Sequence, residues 1–137
     1  MTEKLRILVL DDDRRLARTL VDILALKDCQ AEPACSGPQA LEKAKQTQFD
    51  RFLTDIRMPE MNGVEVLKEI RARYSRLPVI LVTGCRQEMS AAIQAALEIG
   101  AYTCLYKPLQ IDELLQALAE LHKRDLSRIL GRPMGKG

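Results

Sequence analysis

The chain has 137 residues, 47% of them hydrophobic, and this length and apolar content suit one domain with a buried core. Lys and Arg total 21 against 19 for Asp and Glu, so the formal net charge of +2 gives no support for a nucleic-acid or membrane-surface partner. The basic charge is concentrated after residue 121, where five basic residues and one acidic residue give +4 and leave −2 for residues 1–121.

No apolar run reaches the roughly 20 residues that a membrane span needs, and residues 1–4 show no signal-peptide pattern before a strand-like segment. We therefore predict a cytoplasmic protein. Cys29, Cys35, Cys85 and Cys104 lie far apart, and the chain has one histidine, which argues against a zinc site or a redox pair. We expect reduced and mostly buried thiols.

Short apolar runs alternate with amphipathic stretches along the chain. The apolar runs predict β-strands over residues 5–10, 30–35, 49–54, 79–83 and 102–106. A helix is predicted over residues 38–45, because Ser36 can cap it and Pro38 suits its first turn. Helical spacing of apolar residues predicts four more helices, which contain Leu16, Leu20, Ile23 and Leu24; Val64, Leu67 and Ile70; Ile93, Ala96 and Leu97; and Ile111, Leu114, Leu115, Leu118 and Leu121.

This alternation predicts a doubly wound α/β domain of (βα)5 type with a five-stranded parallel sheet. Strands that are separated by helices run parallel, because right-handed crossovers return each strand in the same direction and place helices on both faces. The carboxyl ends of the strands then share one edge. Ligands bind at that edge, where the strand order reverses.

Polar residues stand at the carboxyl ends of four predicted strands. Asp11 and Asp12 follow the first strand, Asp55 the third, Thr83 ends the fourth and Lys107 follows the fifth. Clustered carboxylates repel one another unless a cation neutralises them, and Mg²⁺ prefers such oxygen ligands and bridges them to phosphate. Lys107 and Thr83 offer a positive charge and a hydroxyl group to phosphate oxygens. The pattern predicts a Mg²⁺-dependent phosphate site at Asp55.

Residues 5 to about 121 resemble the receiver domains of bacterial two-component response regulators, especially those of the chemotaxis-regulator type. The resemblance implies a flavodoxin-like strand order of 2-1-3-4-5. It rests on four motifs in family order, which are Val-Leu-Asp-Asp-Asp at 9–13, Thr-Asp-Ile-Arg-Met-Pro-Glu-Met-Asn-Gly at 54–63, Val-Thr-Gly at 82–84, and Gly-Ala at 100–101 leading to Lys-Pro at 107–108.

The same resemblance implies roles for the strand-end residues. Asp55 is the phosphoacceptor for a sensor histidine kinase, and its phosphorylation switches a downstream effector protein or domain. Asp12 is a direct Mg²⁺ ligand, Asp11 a ligand through water, and the backbone carbonyl of Arg57 a further ligand. The domain catalyses its own phosphotransfer and aspartyl-phosphate hydrolysis and is otherwise not an enzyme.

The resemblance further implies that Thr83 and Lys107 contact the phosphoryl oxygens and that Asp13 caps the first helix. It also implies a cis peptide bond between Lys107 and Pro108. Arg57 and Cys85 occupy the positions that flank the reaction in the family, and neither side chain orients water well. We therefore predict a phosphorylated state that decays at a moderate to slow rate.

Cys104 departs from the family, whose typical members have an aromatic switch residue three positions before the lysine. Strand alternation places Tyr102 and Tyr106 on the same face as Cys104, so one of them can substitute for the aromatic residue. The alternative is a shallow switch through the backbone of residues 84–89. Arg51 also departs from the apolar pattern, and we place it at the amino end of its strand, open to water.

The last predicted helix continues past residue 121, since Leu126, Ile129 and Leu130 keep its spacing before Gly131 and Pro133 end it. We divide the chain into a receiver domain, residues 1–121, and a helical extension with a basic tail, residues 122–137. The extension is either a protruding connector or homodimer contact, or a frayed tail. It carries no DNA-binding signature, and a stand-alone receiver and a piece of a longer protein are both compatible with it.

His122 is assigned no role beyond an exposed helix position. Two other classes of protein compete with the receiver interpretation. A phosphatase of the haloacid-dehalogenase type needs a second acid two residues after its aspartate. Arg57 occupies that position in this chain, which argues against this class. A receiver-shaped binding module without phosphorylation would be favoured if Asp12, Asp55 or Lys107 were missing. All three are present.

Overall fold

Five strands and five helices alternate along the chain. The computed structural model describes residues 4–56, 63–84 and 90–130, with the backbone alone for residues 128–130. The elements are β1 (Leu5–Leu10), α1 (Arg14–Leu26), β2 (Cys29–Ala34), α2 (Gly37–Gln46), β3 (Arg51–Asp55), α3 (Gly63–Arg73), β4 (Val79–Thr83), α4 (Ser90–Ile99), β5 (Thr103–Tyr106) and α5 (Ile111–Leu130).

The strands form one parallel sheet in the order β2-β1-β3-β4-β5, which confirms the predicted doubly wound fold and its flavodoxin-like strand order. β1 and β4 have the predicted bounds, β5 starts one residue later than predicted, and β2 and β3 differ by one or two residues at each end. The order reverses at β1, which has β2 on one side and β3 on the other. The ends of β1 and β3 therefore meet at the switch point of the sheet.

Alternating side chains of each strand feed two hydrophobic cores. Leu8, Leu10 and Phe52 pack under α2, α3 and α4, whereas Ile7 and Val9 pack under α1 and α5. Each fully buried aliphatic side chain contributes about 1.5–3 kcal/mol relative to exposure. Because apolar side chains hold both faces, the polar strand ends can lie at the edge without weakening the core.

The predictions of reduced, mostly buried thiols and of an exposed His122 are confirmed in part. Cys29, Cys35 and Cys104 are free thiols but only partly buried, while Cys85 lies outside the described residues. His122 is exposed on α5, as predicted. Among the residues that the structure describes, no helix combines the length and the apolar character needed to cross a membrane.

The prediction that Tyr102 shares the face of Cys104 is wrong. Cys104 and Tyr106 pack against the α2–α4 core, but Tyr102 packs against the α1–α5 core. Tyr102 lies before the first residue of β5, so strand alternation does not extend to it. Its hydroxyl donates to Glu120 at 3.0 Å, and Arg124 lies 5.2 Å from its ring centroid, which holds Tyr102 against α5.

The prediction that Arg51 is open to water is also wrong. Arg51 is the first residue of β3, as expected, but it is only 2% exposed. It donates to the carboxylate of Asp125 on α5 at 2.8 Å and to the backbone carbonyl of Asp50 at 2.7 Å. The buried charge is tolerated because a partner 74 residues away neutralises it. The segment of α5 that contains Asp125 therefore lies against the sheet and does not protrude from it.

Candidate functional site

The residues predicted at the strand ends do come together at the switch point. Asp11 directly follows β1, Asp55 and Thr83 end β3 and β4, and Lys107 directly follows β5. Asp11, Asp55 and Thr83 are 3%, 6% and 0% exposed. Buried polar groups of this kind need partners, and each carboxylate has one in Lys107.

Lys107 bridges two of the carboxylates. Its Nζ lies 2.9 Å from Oδ2 of Asp11 and 2.8 Å from Oδ2 of Asp55. Burial alone would lower the pKa of Lys107, but its hydrogen bonds to Asp55 and Asp11 and the charges of both outweigh burial and raise that pKa. Lys107 is therefore firmly a cation, with its charge directed at Asp55.

Asp12 completes a cluster of three carboxylates. One oxygen from each of Asp11, Asp12 and Asp55 lies within 4.8 Å of the others. Asp12 is exposed at the surface, but slight desolvation of its carboxylate raises its pKa, and the negative charges of Asp11 and Asp55 raise it further. With three carboxylates against one ammonium group, the site keeps a net negative charge. An all-oxygen donor set with this charge fits a hard divalent cation such as Mg²⁺.

Asp13, the third acidic residue of the run, has a different task. Its carboxylate accepts hydrogen bonds from the backbone N–H groups of Arg15 and Leu16 at 3.0 and 3.2 Å, so it is the N-cap of α1, as predicted. The N–H of Asp13 donates to Asp11 at 2.9 Å. The helix start thereby orients one carboxylate of the cluster.

Gly63 brings the start of α3 against the end of β3. Its N–H donates to the carbonyl of Ile56 at 2.6 Å. A Cβ atom at this position would lie 2.6 Å from Cα of Ile56 and would also collide with the backbone carbonyl oxygen of Asp55. The motif at 54–63 indicated this glycine, but only the fold shows that it sets the backbone beside Asp55.

We expect Gly63→Ala to lower the free energy of unfolding by about 1–3 kcal/mol, the usual cost of overpacking against atoms that cannot move aside. Chemical unfolding with urea measures this change. Gly84→Ala is the matched control, because its Cβ would meet the Lys107 side chain at 3.6 Å, an ordinary contact distance. Equal stability of the two variants would contradict the assigned close approach.

Two predicted positions cannot be placed. Arg57 and Cys85, with residues 85–89 of the proposed shallow switch, lie outside the described residues.

The peptide bond between Lys107 and Pro108 is cis, as expected. The N–H of Lys107 donates to the carbonyl of Thr83 at 2.9 Å, which ties the phosphate-contacting candidates of neighbouring strands to each other.

The chain matches the family model for the response regulator receiver domain over residues 7–119. It is 40% identical over 114 residues to the regulatory protein AtoC of Escherichia coli (strain K12), which covers 83% of this chain and 24% of AtoC. It is 34% identical over 122 residues to the Haemophilus influenzae homolog of the transcriptional regulatory protein CpxR, covering 89% of this chain and 52% of that protein.

Solved structures of similar proteins have the same fold. A CheY-like receiver domain protein from Methanospirillum hungatei gives a TM-score of 0.83 at 28% identity and covers 92% of this chain and 99% of that one. TrrA of Thermotoga maritima, solved in complex with Mg²⁺-BeF, gives 0.75 at 28% identity and covers 85% and 98%.

The chain thus spans between a quarter and about half of the length of AtoC and the CpxR homolog, but nearly all of the two solved receivers. The family match begins within β1 and ends within the first half of α5, at residue 119. The chain belongs to the family of response regulator receiver domains of two-component systems.

Proposed function

We propose that this receiver accepts a phosphoryl group on Asp55 in a Mg²⁺-dependent phosphorelay. The observation that supports this most directly is the Lys107 ammonium group, held 2.8 Å from Asp55 and 2.9 Å from Asp11 at the sheet's switch point. A cation in this position is matched to an anion that arrives at Asp55. If Lys107 served only to neutralise Asp55, the further carboxylates of Asp11 and Asp12 would not be needed beside that pair.

Asp55 is the nucleophile of the proposed reaction. One of its carboxylate oxygens attacks phosphorus in line, and the P–N bond to the imidazole of the donor phosphohistidine breaks as the new P–O bond forms. Lys107 holds a phosphoryl oxygen by a charge-assisted hydrogen bond, and the Thr83 hydroxyl donates to another. Positioning and charge supply most of the catalysis.

Asp11, Asp12, Asp55 and the Arg57 carbonyl are the proposed Mg²⁺ ligands, of which Asp11 acts through water. When bound, Mg²⁺ supplies positive charge to the phosphoryl oxygens during transfer. The three carboxylates lie together and are only partly offset by Lys107, so they can receive a divalent cation. Hydrolysis of the acyl phosphate then returns the domain to its starting state.

The proposed partners are a sensor histidine kinase and an output protein or domain. AtoC and the CpxR homolog are regulators much longer than this chain, which agrees with output through a separate module. We assign residues 1–121 to the receiver domain and 122–137 to a helical extension and basic tail that can serve as a homodimer contact. No direct nucleic-acid or membrane binding is assigned to this segment, and a cytoplasmic location is proposed.

Tyr106 is the aromatic residue that we propose for the switch in place of Cys104. It shares the face of Cys104 and is paired in register with Thr83 on β4. Movement of Thr83 toward a phosphoryl oxygen would change the space beside Tyr106. Comparison of free and beryllofluoride-bound structures tests this role, and an unmoved Tyr106 side chain counts against it.

The function is tested by incubating the protein with acetyl phosphate and Mg²⁺ and measuring its intact mass. We expect a mass gain of one phosphoryl group, and no gain when a chelator of Mg²⁺ is present during the incubation. In the presence of Mg²⁺ the phosphorylated form should decay over minutes or longer. No gain of mass under these conditions would reject the proposal. The chain would then be a receiver-shaped binding module without phosphorylation.

Mg²⁺ should also stabilise the folded protein, because only the folded state assembles the cluster. At roughly a hundred times its Kd, a ligand that binds only the folded state adds about 2.7 kcal/mol. The raised pKa of Asp12 means that its contribution to stability is present below the unfolded value of 3.8 and is lost as pH rises. At neutral pH ionised Asp12 therefore destabilises the metal-free protein.

Asp12→Asn is accordingly expected to raise the melting temperature without Mg²⁺ and to remove most of the increase that Mg²⁺ causes. Thermal unfolding with and without Mg²⁺ measures both effects. Asp13→Asn is the matched control, since asparagine also caps helices well and Asp13 lies outside the cluster. A full Mg²⁺ effect in Asp12→Asn would remove Asp12 from the ligand set.

A further inference from the structure

A basic cavity lies at the opposite end of the sheet from Asp55. It has a volume of about 680 Å³, within the range of small-molecule sites. Pro78 precedes β4 and Tyr102 precedes β5, so the cavity is one strand length from the candidate phosphorylation site, roughly 15 Å for five residues. Its other principal lining residues are Arg71, Ser75, Arg76, Gly100 and Arg124.

Three arginines contribute positive charge to this cavity, and none of the described residues that line it is acidic. One carboxylate contacts a lining residue, because Glu120 accepts a hydrogen bond from the Tyr102 hydroxyl at 3.0 Å. Within residues 4–56, 63–84 and 90–130, no carboxylate forms a salt bridge with Arg71, Arg76 or Arg124. The cavity therefore keeps a positive balance even when Glu120 is counted.

Arg71 is held in place by hydrogen bonds to the backbone. Its guanidinium group donates to the backbone carbonyls of Ser75 at 2.7 Å and Gly100 at 3.2 Å, so two neutral acceptors fix its position without neutralising its charge. Its Nε is buried and finds no acceptor among the described residues. Burial lowers the pKa of Arg71, and the positive charge of Arg124 lowers it further. Arg71 would gain from a nearby anion.

Arg124 gives the cavity a second fixed element. Its guanidinium carbon lies 5.2 Å from the centroid of the Tyr102 ring, a cation–π distance that limits its movement. Two guanidinium groups are thus positioned before any ligand arrives, and Arg76, which is exposed, can close on it. Preorganised guanidinium groups bind phosphate oxygens well, because their planar N–H groups match two oxygens at once.

We infer that this cavity binds a small molecule that carries two or more phosphate groups. One phosphate group carries a charge of about −1.5 to −2 at neutral pH, so two of them balance three arginines better than a single phosphate or carboxylate does. The cavity is also larger than inorganic phosphate requires. The flat Arg124 and Tyr102 pair offers a stacking surface for an aromatic ring such as a nucleobase.

The neighbouring cavity, about 380 Å³, is a weaker candidate. It shares Ser75, Arg76 and Pro78 with the basic cavity and also contains Arg51. Asp50 and Asp125 line it as well and offset its two arginines. It therefore lacks the net charge that recommends the larger cavity for an anionic ligand.

The test uses the whole chain, isotopically labelled for NMR, in buffer with chelator so that Asp55 is not loaded with metal. Pyrophosphate and ADP are added separately as probes. We expect saturable shifts of the backbone amides of Ser75, Gly100 and Tyr102, with Asp12 and Lys107 unaffected. Tighter binding of ADP than of pyrophosphate identifies a nucleotide as the ligand, and the reverse order identifies an inorganic or non-aromatic diphosphate.

Arg76→Gln with Arg124→Gln is the informative double variant, because both side chains are exposed, whereas Arg71 is partly buried and donates hydrogen bonds to two backbone carbonyls. We expect a loss of affinity of about tenfold or more, since charge-assisted hydrogen bonds to phosphate are the strong ones. Arg18→Gln with Arg73→Gln is the matched control, with the same change in net charge on exposed residues that do not line the cavity.

Two results would overturn the inference. One is the absence of saturable shifts with either probe. The other is an equal loss of affinity in both double variants, which would show attraction to overall charge and no dedicated site. Because the experiment excludes Mg²⁺ and leaves Asp55 unchanged, its outcome is independent of whether Asp55 accepts a phosphoryl group.

Discussion

Asp55→Asn is expected to abolish the phosphoryl mass gain from acetyl phosphate and Mg²⁺. The amide of asparagine is a far poorer nucleophile than a carboxylate and cannot form a stable acyl phosphate, so the loss should be complete. The fold should survive, because Lys107 keeps its hydrogen bond to Asp11 at 2.9 Å. Intact mass measures the transfer, and circular dichroism checks the fold.

Asp50→Asn is the matched control for this experiment. Asp50 precedes the amino end of β3, whereas Asp55 ends the strand. The Asp50 carboxylate accepts a hydrogen bond from the N–H of Arg6 at 2.9 Å. It should be phosphorylated to the wild-type extent. Wild-type mass gain in Asp55→Asn would assign the acceptor role to another carboxylate, for which Asp11 and Asp12 are the adjacent candidates.

Among the variants proposed for this protein, Asp125→Asn is expected to lower the free energy of unfolding most, by about 3 kcal/mol. This value is near the lower end of the loss that follows when one partner of a buried ion pair is removed. The variant leaves Arg51 with its charge in a site that is only 2% exposed. Arg51→Met should cost much less. Asp125 retains 34% side-chain exposure and can be solvated when its partner is lost, and methionine suits an otherwise apolar strand.

Urea unfolding of the two single variants and the Arg51→Met, Asp125→Asn double variant measures this asymmetry as a thermodynamic cycle. The double variant should recover most of the stability that Asp125→Asn loses, because no buried charge remains. Equal losses for the two single variants would mean that solvent reaches Arg51. Full additivity in the double variant would mean that the contact at 2.8 Å contributes nothing.

The Arg51–Asp125 pair also bears on how the receiver joins whatever follows it. Asp125 lies beyond the last residue of the family match, residue 119, yet it is bonded to the first residue of β3. Ser127, two residues further, is buried as well. The contact between Asp125 and the sheet therefore sets the direction of α5 beyond the end of the family match.

The fold and the position of the site could be predicted because both depend on local patterns. Along β1, Ile7 and Val9 alternate with Leu8 and Leu10, and this alternation by itself places one hydrophobic core on each face of the strand. In a parallel sheet the strand ends share one edge, so Asp55 and Lys107 had to meet there although they are 52 residues apart. The N-cap role of Asp13 was equally local.

The interpretations that failed depended on contacts between distant segments. The face of Tyr102 was assigned by strand periodicity, but β5 starts one residue later, and Glu120 and Arg124 of α5 hold the ring on the other side. The burial of Arg51 required Asp125, which no spacing rule connects to it. The basic cavity needs Arg71 and Arg124 from different helices, and neither belongs to a motif.

The sequence by itself determined the element order, the parallel sheet and the gathering of Asp11, Asp12, Asp55, Thr83 and Lys107 at one edge, because backbone periodicity and crossover handedness leave few alternatives. Only the tertiary structure decided where buried charges are neutralised and where they are not. Arg51 pairs with a carboxylate across the fold, whereas Arg71 pairs with none among the described residues, because such pairings follow from how helices pack on the sheet and not from neighbours in the chain.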